Sequence, residues 1–135
     1  MTLALISDVQ RNLATNPTPD GVEARSALLV AHQIGMSAAD VMPDIADRWT
    51  FASLTIGECI DRLADGMPGE LTLTVDVPQL TADMAEETRE PIRSLLCVLA
   101  DLYADAATDD TASPWRRLAW ASAAQHLDRA IRELP

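Results

Sequence analysis

Along most of the chain apolar residues recur at the 3.6-residue period of an amphipathic helix. Leu5, Ile6, Val9 and Leu13 share one side of residues 2–14 and predict a first helix. The stretch "TNPTPDG" that follows has turn chemistry throughout. A second helix is predicted from about Asp20 to Ile34, with Ala24, Ala27, Leu28, Ala31 and Ile34 on one face. Leu29 and Val30 widen that face, as in a helix buried on more than one side, and Gly35 reads as its C-cap. A third helix is expected to begin at Ser37 or at Pro43. Its stripe runs through Met42, Ile45, Trp49, Ala52, Ile56, Cys59, Ile60 and Leu63 to a stop at Gly66. Phe51 and Leu54 lie off that stripe and predict a second, smaller contact.

Between Gly69 and Pro78 the period changes from 3.6 to two. Leu71, Leu73, Val75 and Val77 alternate with Thr72, Thr74 and Asp76, the pattern of a strand. A single strand leaves its backbone donors and acceptors unpaired. Residues 70–77 are therefore read as an extended crossover lying along a helical bundle, or as a strand pairing with a second copy of the chain.

A fourth helix is expected over about Thr81 to Ala106, with Met84, Pro91, Leu95, Leu99, Leu102 and Ala106 in line and Ile92 and Tyr103 at the margin. Pro91 predicts a kink or a break, and the stripe continuing in phase across it favours a kink. Ser113 followed by Pro114 is a helix start, an N-cap residue and then proline at the first helical position. In the last helix Trp120, Ala123, Ala124, Leu127, Ile131 and Leu134 form a core stripe, with Arg129 and Arg132 opposite. The whole reads as one all-α domain over residues 1–135. It is a bundle of four or five helices with one strand-like segment (about 70–77) between the third and fourth.

Composition fits that fold and narrows the function. A chain of 135 residues with 48% apolar content supports a single well-packed core. The net charge of −11 disfavours nucleic-acid backbones and anionic membrane surfaces as partners. The acidity is uneven. Residues 1–111 hold 6 Arg against 19 Asp or Glu, whereas residues 112–135 hold 4 Arg against 2. Two cysteines make neither a disulfide framework nor a metal box. The start of the chain lacks the basic region of a signal peptide, and no stretch is apolar enough to span a membrane. A cytoplasmic protein with reduced thiols is expected.

Candidate chemistry is sparse. Glu58 with Asp61 and Glu87 with Glu90 are i, i+3 carboxylate pairs on two long helices. If they converged they could hold Mg²⁺ against a substrate's phosphates, as in the all-α nucleotide pyrophosphohydrolases. Helical phase turns Glu58 and Asp61 away from their stripe, so solvated faces are the expected outcome. His126 with Ser122 one turn before it lacks an orienting acid, because Asp128 projects to the other side of the helix. Cys59 reads as a core residue, and Cys97 has only Arg93 near it. No catalytic residue, metal or cofactor is assigned.

Arg116 and Arg117 lie in the first turn of a helix, where the dipole disfavours cations. Pairing with Asp109 and Asp110 is the expected remedy. Trp115 and Leu118 fall outside the core stripe of that helix. The leading expectation is a non-enzymatic protein that works by association, with itself as a homodimer or with another protein. The candidate contact residues are Trp115, Arg116, Arg117, Leu118, Leu71, Leu73 and Val75. A metal-dependent phosphohydrolase and an acidic nucleic-acid mimic docking on a basic protein are the alternatives.

Overall fold

The computed structural model describes residues 2–65 and 74–135. Five α-helices account for most of them: α1 (Thr2–Thr15), α2 (Val22–Val41), α3 (Ala46–Ala64), α4 (Ala82–Ala106) and α5 (Pro114–Glu133), with a 3₁₀ turn at Pro43–Ile45 before α3. Helices α2, α3, α5 and α4 pack in that cyclic order, each against the next and α4 back against α2. α1 closes over the α2–α4 side. The all-α bundle is thus a four-helix ring with a fifth helix laid on one edge.

The ring order makes α3 and α4 diagonal partners that share no contact among the described residues. The connection over 65–81 therefore joins two helices on opposite sides of the ring. Leu71 and Leu73, half of the alternating set, lie outside the described residues. Residues 74–80 are neither helical nor paired in a strand. Val75 and Val77 pack partly against the core, Leu80 is buried, and the Leu80 amide donates to Ser37 Oγ on α2 at 3.3 Å.

The core follows the predicted stripes. Ile6 and Leu13 of α1, Leu28 and Ile34 of α2, Trp49 and Ile56 of α3, and Leu95, Leu99 and Leu127 beyond them are fully buried. Each large aliphatic side chain removed from water contributes about 1.5–3 kcal/mol. Tyr103, placed by phase at a margin, is completely buried, and burial pushes its phenol far above the usual range.

Two helix boundaries differ from expectation. Gly35 does not end α2, which runs on to Val41. A methyl group at Gly35 would stand 2.0 Å from Ser53 Oγ of α3, so the missing side chain lets these two helices approach closely. Ser37 and Asp40 accordingly lie inside α2, and Pro43 opens the 3₁₀ turn. At Pro91 the favoured continuation holds rather than the break: α4 is one helix over 25 residues. The N-cap read from sequence at Ser113 is present, its Oγ accepting from the Arg116 amide at 3.2 Å, and Thr81 Oγ1 caps α4 by accepting from the Met84 amide at 3.3 Å. No described helix is long and apolar enough to cross a membrane.

Candidate functional site

α3 and α5 pack antiparallel, and their contacts fix the register. Arg116 meets Leu63, Cys59 lies under Ala123, Glu58 faces His126, and Thr55 Oγ1 donates to Glu133 at 2.6 Å. The side chains carrying chemistry or unusual exposure gather along this helix pair.

At its upper end Arg116 is held inside the molecule. Its guanidinium forms a two-pronged ion pair with Asp20, from the turn before α2, with Nε 3.1 Å from Oδ2 and Nη2 on Oδ1. The same group donates to the Leu63 carbonyl at 3.3 Å and to the Asp65 carbonyl at 3.1 Å. Those carbonyls end α3, where the helix dipole favours a cation. Trp120 Nε1 donates to Asp20 Oδ1 at 3.1 Å, and the guanidinium lies 5.8 Å from the centre of its ring. Arg116 therefore joins three segments far apart in sequence and offers no free face to a partner.

Its neighbours behave differently. Arg117 pairs with Asp110 at 3.7 Å, as expected of one arginine in this turn. Asp109 does not take the other. It accepts from the Thr111 hydroxyl at 2.6 Å and the Thr111 amide at 2.9 Å, and these bonds hold its carboxyl below the usual range. Trp115 is 80% exposed and Leu118 62% exposed, one turn apart on the outer side of α5. Phe51 and Leu54 are also exposed, so the smaller contact expected of them is not made among the described residues. They lie in the first half of α3, at the opposite end of the antiparallel pair from Trp115.

Between these ends sits a serine, histidine and carboxylate set that includes the acid missing from the sequence reading. His126 Nδ1 lies 2.8 Å from the Ser122 carbonyl and 3.5 Å from Ser122 Oγ, while Nε2 lies 3.5 Å from Glu58 Oε2. The geometry does not suit nucleophilic catalysis. A carbonyl can only accept, so Nδ1 carries a proton and cannot take one from Ser122. The amides around Ser122 belong to the interior of α5, whose own carbonyls bind them, so no oxyanion donors are at hand.

The carboxylate pairs are not brought together. Glu58 and Asp61 are exposed on α3, Glu87 and Glu90 are exposed on α4, and those helices are diagonal in the ring. Among the described residues no three His, Cys, Asp or Glu side chains cluster as metal ligands. Cys59 is buried, and burial pushes its thiol up to about 12, which keeps it protonated and inert.

Sequence reasoning missed two long-range partnerships, Asp20 with Arg116 and Glu58 with His126. For the first a signal existed. An arginine at the unfavourable end of a helix needs an acid, and Asp109 and Asp110 were only the nearest in sequence. The chain matches no protein-family model, no curated protein and no solved structure at a significant level.

Proposed function

We propose that the protein acts by association with another protein chain, a second copy of itself, through the outer side of the first turns of α5. The observation that carries this reading is the 80% exposure of Trp115 beside the exposed Leu118, in a chain that buries Trp49 completely and Trp120 nearly so. An exposed tryptophan offers about 150–250 Å² of apolar area on a side chain with few rotatable bonds, which is why tryptophan is enriched among binding hot spots. The intramolecular engagement of Arg116 and Arg117 leaves the apolar pair as the contact.

Light scattering over a concentration series tests this directly. The wild-type chain is expected to show a concentration-dependent rise in mass that is lost in Trp115→Ser/Leu118→Ser. A strict monomer at high micromolar concentration overturns it.

A further inference from the structure

We propose that His126 Nε2 and Glu58 Oε2 form a two-donor site for a divalent transition-metal ion of the zinc, nickel or copper class. Nδ1 stands 2.8 Å from the Ser122 carbonyl, which fixes a proton on Nδ1 and leaves Nε2 of the neutral ring as a lone-pair donor. Glu58 Oε2 lies 3.5 Å from that nitrogen and is itself only an acceptor. Two acceptors so placed are mutually favourable only with a cation between them, a proton or a metal ion.

The spacing suits a metal. Two ligand atoms each ~2.0–2.2 Å from a tetrahedral Zn²⁺ stand roughly 3.3–3.5 Å from one another. The hydrogen bond from Nδ1 to a backbone carbonyl is the outer-shell arrangement that orients a ligating histidine. His126 is mostly buried and thus held, whereas Glu58 is more than half exposed and can adjust its approach. Imidazole with carboxylate is a donor set for zinc, copper and nickel and a poor one for Mg²⁺. The nearby cations are partly engaged: Arg129, one turn from His126, pairs with Glu133 at 3.5 Å, and Arg62 lies one turn from Glu58 on α3. Because no third ligating side chain joins the pair among the described residues, the other coordination positions open to water or to a donor from another molecule.

His32 is an internal control. Its Nδ1 makes the same kind of bond, 2.9 Å from the Ser53 carbonyl, but no carboxylate among the described residues pairs with its ring. The test is a titration of the full chain with ZnCl₂, and with MgCl₂ as the contrast. It is read by thermal denaturation and by the imidazole ¹⁵N resonances. Zn²⁺ is expected to raise Tm and to shift the Nε2 resonance of His126 while leaving that of His32 in place. Glu58→Gln and His126→Gln are each expected to weaken binding at least about tenfold. Glu58 is at the surface, so its variant reports on binding even where the His126 variant folds poorly. Three results overturn the proposal: no response to millimolar Zn²⁺, which leaves a proton as the only cation between the pair; unchanged affinity in Glu58→Gln; or a shift at His32 in place of His126.

Discussion

Trp115 and Trp120 lie five residues apart on one helix and have opposite fates. Five residues turn a helix by about 140°, so the two rings leave it in widely different directions. Trp120 is 7% exposed, its indole nitrogen on Asp20 and its ring beside the Arg116 guanidinium. Trp115 has none of this and stands in solvent. The inner side of the first turns of α5 is thus a dense polar knot. It fastens the helix to α3 and to the turn before α2. The outer side is apolar and unattached. Knot and patch alternate along five residues, so a substitution there acts on folding or on association according to the side it falls on.

The strongest way to break this contrast is at Arg116. Arg116→Ala is expected to cost about 3 kcal/mol in urea denaturation, because it strands a half-buried Asp20 carboxylate and frees the carbonyls that end α3. Arg116→Lys should recover only part of that loss, since an ammonium lacks the two-pronged geometry. The inner side also has an alkaline limit. The folded Cys59 thiol stays protonated up to about 12, whereas an unfolded thiol ionises from about 8.5. The unfolded chain therefore releases the proton first, and stability falls with rising pH by up to about 1.4 kcal/mol per unit across that window. Cys59→Ala should flatten the slope measured by denaturation between about pH 8.5 and 9.5, below the ionisation of an unfolded tyrosine at about 10, where the buried Tyr103 begins to contribute. Ser113→Ala, which removes the N-cap shared by both sides, should cost about 1 kcal/mol in the same assay. On the outer side the expected change in stability is smallest. Trp115→Ser should fall within about 0.5 kcal/mol of the wild type while abolishing the rise in scattered mass. Acrylamide quenching separates the two rings. Trp115→Phe should leave only blue-shifted, poorly quenched emission from Trp49 and Trp120.

Most of the bundle was legible in the sequence because helical burial repeats every three or four residues, within the reach of a local pattern. Trp49, Ile56, Leu95 and Leu127 announce their faces through their neighbours. The misreadings came where a distant helix decided the outcome. Gly35 has the chemistry of a cap, yet Ser53 on α3 requires its missing side chain within a continuing α2. Tyr103 appeared marginal until the surrounding helices enclosed it. The candidate site was legible only in part. The outward phase of Trp115 and Leu118 follows from α5 alone. The partners of Arg116 and His126 lie 96 and 68 residues away, and no local periodicity carries that information.

The two thiols give the molecule a built-in clock. Cys97 is exposed and Cys59 is sealed beneath Ala123, where α3 meets α5. A thiol reagent therefore reacts with the first at the rate of the reagent and with the second only when those helices part. The lag between the two events times how often this side of the bundle opens.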